Sequence, residues 1–377
     1  MKLLITGFSN SGKTTIFNAL TGLNLEVTAY PTLAPGDAKV EPHTGIVNVP
    51  DERVDRLCNI YKPKKKTYAT IEYIDYIGLA KGNTAQNSQV FNLIKDSDAI
   101  VHVIREFENP AVLHPAESID PVRDAGAFET ELILGDLELV EKRLERMALA
   151  LKKGDKERHG ESPLLLKCRE ALENESSLRN IDFTEEEKKI MLSLQFLSTK
   201  PEISVLNIGE NDLNTEKTAA IEEDIKKYFQ VRYESQGRSL GLPPQVISLC
   251  GKAEMEISQL NEDEKGAFLD ALGIREPSAN KLCRISHEEL GLITFFTVGD
   301  NEVKAWTIKN GTEALKAAGR VHSDMERGFI RAEVIDYESF ISSDGSMVRA
   351  KEKGLVRLEG KNYIVKDGDI INFKFNI

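Results

Sequence analysis

The chain has 377 residues, with 49 Lys and Arg against 61 Asp and Glu and a formal net charge of −12 at pH 7. At roughly 100–200 residues per domain, this length predicts two or three domains and excludes a single small module. The net negative charge excludes indiscriminate adhesion to nucleic acid, which depends on an excess of Lys and Arg, so an RNA partner must be held by a local patch.

The four cysteines are far apart and form no C-x-x-C pair, which predicts neither a zinc site nor a disulfide framework and fits a reduced cytoplasm. No apolar stretch approaches the ~18 residues of a membrane span, and polar residues follow the first strand too soon for a signal peptide. We therefore expect a cytoplasmic protein with no membrane partner and no sequence-specific DNA partner.

The first predicted strand, KLLIT at residues 2–6, leads into GFSNSGKT at 7–14 and then into an apolar helix. This is the pattern G-x-x-x-x-G-K-[ST] in the strand–loop–helix setting where backbone N–H groups cradle phosphates. Lys13 would reach the β- and γ-phosphates, and Thr14 would offer its hydroxyl to Mg²⁺. The nucleotide-binding residues predicted in this loop are Asn10, Ser11, Gly12, Lys13, Thr14 and Thr15.

Two further elements that contact Mg²⁺ and phosphate are expected after the first loop. Thr32 could supply a second Mg²⁺ ligand, or it could be an ordinary loop threonine. Further along, the alternating segment TIEYI at 70–74 predicts a strand that ends in a D-x-x-G motif formed by Asp75 and Gly78. Asp75 would hold Mg²⁺ and the Gly78 N–H would sense the γ-phosphate. The predicted catalytic residues are Lys13, Asp75 and Gly78.

A helical arm is predicted from about residue 132. Apolar residues from Leu137 to Leu151 recur at alternating spacings of three and four, and a returning helix is predicted to begin at Thr184, which would form a capping box with Glu187. Two such helices joined by a polar stretch predict an antiparallel coiled coil. Its charged faces would be solvated, or they would contact a large partner.

The base of the nucleotide should be read by loops at the carboxyl ends of later strands, where open parallel sheets bind ligands. The strand ISVL is followed by Asn207, Ile208 and Glu210, and the strand QVISL by Gly251. A guanine-specific loop usually reads N-K-x-D, in which the Asp carboxylate accepts hydrogen bonds from guanine. This chain lacks both the Lys and the Asp, which favours an adenine nucleotide.

The motifs, in this order, resemble those of the YchF subfamily of Obg-related P-loop proteins, also called Obg-like ATPases. Longer similar stretches are VPDERVDRL (49–57), DAIVHVIREFEN (98–109), ETELILGDLELVEKRL (129–144) and LGLITFFTVGDNEVKAWTIKNGTEALKAAGRVHSDMERGFIRAEVI (290–335). The last of these, with LEGKNYIVKDGDIINFKFN (358–376), is similar to the family's C-terminal TGS domain, which has a ubiquitin-like β-grasp fold.

The resemblance implies an α/β P-loop NTPase fold, in which a doubly wound, mostly parallel sheet carries an inserted antiparallel coiled-coil arm and is followed by the TGS domain. The expected nucleotide-binding domain comprises residues 1–131 and 201–285, the arm comprises residues 132–200, and the TGS domain comprises residues 286–377.

The resemblance also implies ATP hydrolysis in preference to GTP hydrolysis, and association with ribosomes. It supports the segment from Asn207 to Glu210 as the base-selecting loop. Just after D-x-x-G many GTPases place a Gln that orients water, whereas this chain has Leu79. In related proteins with this replacement, an Asn at the position of Asn10 can coordinate K⁺. The family's suspected catalytic histidine aligns with Leu93.

We therefore expect a slow, Mg²⁺-dependent ATPase that acts as a switch. It would associate with the ribosome or ribosomal RNA through its arm and TGS domain and modulate translation or a stress response. K⁺ is a candidate second cofactor, and no residue is assigned to position the attacking water. A nucleotide sensor with little hydrolysis and a GTPase are the alternatives. The residues that could form an RNA-facing patch on the TGS domain are Lys309, Lys316, Arg320, Arg327 and Arg331.

Overall fold

The computed structural model describes residues 1–27, 41–152, 161–235 and 243–376, and the chain forms two compact units. Unit 1 consists of residues 1–45 and 72–279, and unit 2 consists of residues 46–71 and 280–377. The chain therefore passes from one unit to the other three times.

The strands are β1 (Lys2–Thr6), β2 (His43–Asn48), β3 (Lys65–Thr67), β4 (Thr70–Asp75), β5 (Ala99–Arg105), β6 (Glu202–Asn207), β7 (Gln245–Leu249), β8 (Leu292–Thr297), β9 (Glu302–Lys309), β10 (Phe329–Asp336), β11 (Arg357–Glu359) and β12 (Asp369–Phe375). The predicted strands at 2–6, 70–74, 203–206 and 245–249 are confirmed as β1, β4, β6 and β7.

The helices are α1 (Lys13–Thr21), α2 (Glu52–Tyr61), α3 (Thr84–Asp96), α4 (Pro121–Lys152), α5 (Ser162–Glu173), α6 (Glu185–Leu194), α7 (Glu216–Ser235), α8 (Gly251–Gln259), α9 (Glu262–Ala271), α10 (Ser278–Glu289), α11 (Ala314–Val321), α12 (Ser323–Arg327), α13 (Tyr337–Ser342) and α14 (Met347–Glu352). None of the helices in the described residues has the length and apolar character needed to span a bilayer.

The first sheet has the strand order β2-β4-β1-β5-β6-β7, and β1 lies between β4 and β5. The pairs β1–β4, β1–β5, β5–β6 and β6–β7 are all parallel. Parallel pairing brings the carboxyl ends of these strands to one edge of the sheet, which is where such sheets bind ligands. The loops after β1, β4, β5, β6 and β7 therefore meet there, as expected for a P-loop NTPase fold.

The helical insertion differs from the predicted two-helix coiled coil. The first helix, α4, runs without a break from Pro121, well before residue 132, and the insertion also contains α5, which the sequence pattern did not indicate. These helices share a core with α6 that includes Val140, Leu165 and Met191. The predicted capping box is confirmed, because Thr184 and Glu187 exchange both hydrogen bonds at the start of α6. In the parts of the insertion that the structure describes, two short helices pack against one long helix.

Unit 2 contains a mixed sheet with the strand order β11-β10-β12-β8-β9-β3. The pairs β8–β9 and β10–β12 are antiparallel, whereas β12 and β8 are parallel. One core of this unit includes Phe295, Val334 and Phe373 from the sheet and Ala317 from α11. This packing of a helix on a mixed sheet agrees with the predicted β-grasp fold of the C-terminal domain.

The boundaries of unit 2 differ from the expected TGS domain in two ways. Residues 46–71, which we expected in the nucleotide domain, belong to unit 2, because β3 pairs in parallel with β9, with Lys65 opposite Glu302. The expected boundary at 285/286 falls inside α10, a continuous helix whose first residue is Ser278.

Candidate functional site

The loop between β1 and α1 depends on glycines at both ends. Gly7 has φ 143° and Gly12 has φ 93°, which L-residues with a side chain rarely adopt. A Cβ atom on Gly7 would lie 2.4 Å from the Val103 carbonyl oxygen, and one on Gly12 would lie 2.2 Å from Nδ2 of Asn207. The backbone turns directly into α1 at Lys13, so the first N–H groups of this helix are available to an anion.

Lys13 is buried beside the loop that it follows. Its Nζ donates a hydrogen bond to the Phe8 carbonyl oxygen at 2.9 Å, and the residue is 7% exposed. Burial lowers the pKa of Lys13 to about 8, and the negative charge of Asp75 opposes part of this shift. The ammonium group thus sits in a poorly hydrated position where attraction to phosphate is strong.

Thr14 and Asp75, both predicted as Mg²⁺ ligands, are adjacent. The Thr14 hydroxyl donates to Oδ2 of Asp75 at 2.8 Å. Burial raises the pKa of Asp75, while the bond from Thr14 and the charge of Lys13 act in the opposite direction. The other carboxylate oxygen, Oδ1, is buried with no hydrogen-bond partner among the described residues. A hydroxyl and a carboxylate with an unused oxygen fit Mg²⁺, which prefers oxygen ligands. Thr32 lies outside the described residues.

Gly78 lies against the phosphate loop. A Cβ on Gly78 would be 2.7 Å from the Ser9 nitrogen and 2.8 Å from Lys13 Nζ, so only glycine fits. The next residue, Leu79, donates its backbone N–H to the Gly7 carbonyl oxygen at 3.0 Å. Its side chain is buried in a core cluster with Phe8, and Leu93 packs against the same cluster. Neither leucine can orient a water molecule.

Asn207 joins two loops to the end of β6. Its Nδ2 donates to the Ser11 carbonyl oxygen at 2.9 Å, and its Oδ1 accepts from the Gly251 N–H at 3.0 Å. Asn207 is 4% exposed. The sequence assigned Asn207 to base selection, but this side chain holds the phosphate loop and the β7–α8 junction together, so it acts on the site by positioning both.

A cavity of about 890 Å³ adjoins the phosphate loop. Of the predicted residues, it is lined by Asn10, Gly12, Thr15, Asn207, Ile208 and Glu210. Its size and its mixture of apolar and polar walls suit a nucleoside. Glu210 forms an ion pair with Lys252 at 2.9 Å, and both side chains are largely exposed. The carboxylate that the sequence assigned to base selection is therefore engaged by a lysine.

The site also contains residues that the sequence did not indicate, among them Phe107, Met255 and Arg105. Phe107 and Met255 line the cavity. The Arg105 guanidinium lies 4.4 Å from the centre of the Phe107 ring, and its Nε donates to the Phe107 carbonyl oxygen at 3.1 Å, which fixes the ring's position. Arg105 and Phe107 lie in the stretch DAIVHVIREFEN, which contributed to the resemblance without any residue in it being assigned a role.

Asn10 reaches away from the phosphate loop. Its Nδ2 donates to the Leu113 carbonyl oxygen at 2.9 Å, and its backbone has φ 63°. This contact ties the phosphate loop to the loop that follows β5.

A family model described as a 50S ribosome-binding GTPase matches residues 2–133, and the model of the C-terminal domain of YchF-type GTPases, described as a protein of unknown function, matches residues 292–376. The ribosome-binding ATPase YchF of Bacillus subtilis is 39% identical over 376 residues, which cover 99% of this chain and 98% of that protein. The protein of the same name from Haemophilus influenzae is 40% identical over 378 residues, with the same coverage.

Among solved structures, the YchF GTPase of Schizosaccharomyces pombe matches with a TM-score of 0.78 and 29% sequence identity. The match covers 99% of this chain and 97% of that chain. Similarity of sequence and of fold thus extends over almost the whole length.

Proposed function

Because this chain belongs to the YchF family, we propose that it is an ATP-hydrolysing switch that binds ribosomes. Membership makes it a P-loop nucleotide hydrolase, and the names of its relatives support ATP as the substrate and the ribosome as the partner. One observation carries the proposal. The Thr14 hydroxyl is hydrogen-bonded to Asp75 at the end of β4, close to Lys13, and the neighbouring residues Gly12 and Thr15 line the cavity.

The residues of the phosphate loop would share the work on the phosphates. The Thr14 hydroxyl and the unpaired Asp75 oxygen would hold Mg²⁺, which when bound neutralises negative charge on the phosphates. Lys13 would exchange its bond to the Phe8 carbonyl for a phosphate oxygen, and the Gly78 N–H would donate to the γ-phosphate. These donors act on the transferring group by position and charge.

Two features support ATP over GTP. Glu210 is paired with Lys252, and both side-chain hydrogen-bonding groups of Asn207 are used inside the protein. Guanine recognition needs a free carboxylate that accepts from the ring N–H and the exocyclic amine. The ion pair with Lys252 makes the Glu210 carboxylate less available to guanine, whereas adenine needs no such acceptor.

Ribosome contact through the helical insertion and unit 2 is part of the proposal. The basic residues of unit 2 are less free than their number suggests, because Lys316 pairs with Glu326 at 2.7 Å and Arg327 pairs with Asp324. Lys309, Arg320 and Arg331 are the better candidates for contact with RNA phosphates. Such contact should weaken as salt is raised.

A nucleotide sensor with little hydrolysis is the second candidate function. The buried side chain of Leu79 favours it, since the position that commonly orients water is occupied by a core residue. Single-turnover phosphate release with and without purified ribosomes separates the two functions. Release that stays at the uncatalysed rate in both samples would favour the sensor.

Calorimetric titration of ATP and GTP tests the central assignment. We expect ATP to bind more tightly than GTP, and Lys13→Ala to abolish tight binding of ATP because the β- and γ-phosphates lose their cation. Lys188→Ala, at an exposed lysine on α6, is the matched control. Unchanged ATP affinity in Lys13→Ala would contradict the proposal.

The K⁺ hypothesis is tested by comparing the rate of ATP turnover in KCl with the rate in NaCl. Equal rates in the two salts would exclude it.

A further inference from the structure

The segment that follows Gly78 is attached to two helices by buried side chains. The Asn87 side chain on α3 brackets Ala80: its Oδ1 accepts from the Ala80 N–H at 2.9 Å, and its Nδ2 donates to the Ala80 carbonyl oxygen at 2.8 Å. The Gly82 N–H donates to Oε1 of Glu131 on α4 at 2.6 Å. The backbone of this short segment is thus held by side chains at Ala80 and at Gly82.

Glu131 connects the two attachments. Its Oε2 accepts from Nδ2 of Asn87 at 3.2 Å, so one carboxylate contacts both α3 and the backbone of Gly82. Glu131 is 3% exposed and Asn87 is 1% exposed, so both side chains are buried. A buried polar group that loses its hydrogen-bond partners pays the cost of desolvation, so these two hydrogen bonds hold the Glu131 side chain in place.

The segment from Gly78 to Gly82 is held at three of its residues. Leu79 is fixed by its bond to the Gly7 carbonyl oxygen and by its buried side chain, Ala80 is fixed by Asn87, and Gly82 is fixed by Glu131. Three residues lie between Gly78 and Gly82, so the four residue-to-residue steps span at most ~14 Å when fully extended. A displacement of Gly78 therefore has to be taken up at Asn87 or at Glu131.

We propose that Glu131 is the positioning residue that couples the D-x-x-G segment to α4, so that the phosphate bound at Gly78 determines the placement of the helical insertion. The inference rests on the proposed function, because it needs a nucleotide whose γ-phosphate is present in one state and absent in the other. From Glu131 onward α4 continues to Lys152, and it carries the core residues that pack against α5 and α6. Movement of α4 at Glu131 is transmitted to the insertion because the part of the helix beyond Glu131 packs with α5 and α6 in one core.

Hydrogen exchange of α4, α5 and α6 in the full-length protein tests the coupling, with ADP and a non-hydrolysable ATP analogue as ligands. Glu131→Ala removes both hydrogen bonds. Glu131→Gln keeps an acceptor for the Gly82 N–H but turns an amide toward Nδ2 of Asn87, which is a donor. Glu138→Ala is the matched control, because Glu138 lies two turns further along the same helix with a half-exposed side chain paired to Lys142.

In the unsubstituted protein we expect the exchange of α4 beyond residue 131 to differ between the two nucleotides. Glu131→Ala should reduce this difference about fivefold or more, Glu131→Gln should give an intermediate value, and Glu138→Ala should leave it unchanged. A purely structural role of Glu131 would lower thermal stability with either nucleotide but would leave the difference between the nucleotides intact.

Two results would overturn the coupling alone: the same exchange with both nucleotides in the unsubstituted protein, or an undiminished difference in the folded Glu131 variants. Calorimetry on the same samples separates this failure from failure of the proposed function. If the unsubstituted protein binds no ATP, the proposed function and the coupling both fail. If it binds ATP and α4 does not respond, only the coupling fails.

Discussion

Lys13 gives the site a pH dependence that can be measured. Burial lowers its pKa to about 8, so part of the population is neutral at pH 8.5, whereas phosphate requires the charged form. We expect ATP affinity to fall as the pH rises through about 8, and ATP binding at pH 8.5 to take up protons. Calorimetry in two buffers of different ionisation enthalpy measures this uptake.

The phosphates cannot account for proton uptake at this pH, because phosphate groups with a last pKa of roughly 6 are already deprotonated. Lys252→Ala, at an exposed lysine beside the same cavity, should keep the uptake. Binding with no proton uptake at pH 8.5 would contradict the assignment to Lys13.

The same lowered pKa affects folding stability in the opposite direction to ATP affinity. Between pH 8 and 10.5 the Lys13 side chain binds fewer protons in the folded state than in the unfolded state, so its contribution to the free energy of unfolding rises with pH.

At the scale of elements, Asn207 is the junction between the phosphate loop, β6 and the start of α8. Asn207→Ala leaves the Ser11 carbonyl and the Gly251 N–H without their partner, at a cost of about 1–3 kcal/mol for each buried group. We expect weaker binding of ATP and GTP by a similar factor, because the residue positions the loop and does not read the base. Calorimetric titration of both nucleotides measures the two factors.

Asn211→Ala is the matched control, since Asn211 is an exposed asparagine of the same loop that lines the cavity. We expect both affinities to be nearly unchanged in this variant. A loss in Asn207→Ala confined to one nucleotide would instead return this residue to the role of base selection.

The elements that sequence could predict are those whose signal is local. Gly12 indicates the phosphate loop because only glycine fits the backbone at this position, and Lys13 completes the motif. Thr184 indicates the start of α6 because the capping box is complete within four residues. The position of Asn207 just after a predicted strand placed it in the site but did not reveal its partners, because the contacts to Ser11 and Gly251 join segments distant in sequence. The helix α5 was missed because the apolar spacing of α4 and α6 already satisfied a two-helix interpretation.

At the scale of the whole molecule, unit 2 is assembled from two separate stretches of the chain. Arg53 lies 5.0 Å from the centre of the Phe296 ring, Tyr61 stacks on Phe340 with ring centres 5.9 Å apart, and β3 pairs with β9. These contacts come from residues 46–71, and sequence could not predict them because the short strand KKT has no apolar pattern.

We therefore expect the isolated fragment 280–377 to be poorly folded, because it leaves the edge of β9 unpaired and the rings of Phe296 and Phe340 without these partners. A synthetic peptide of residues 46–71 should bind the fragment and raise its melting temperature by several degrees, as about 1 kcal/mol does in a small domain. Circular dichroism with and without the peptide measures this. A fragment that is fully cooperative alone and indifferent to the peptide would contradict it.

Because unit 2 is formed by two separate stretches of the chain, its two parts are synthesised at different times. Residues 46–71 leave the ribosome early, but their partners begin at residue 280, about 200 residues later. At 5–20 residues per second this is a wait of roughly 10 to 40 seconds, in which the future edge strand β3 has no neighbour. Unpaired edges invite aggregation, and lysines suppress it. The basic run KPKKK at 62–66, which includes Lys65 and Lys66 of β3, would keep this waiting segment soluble until β9 is made.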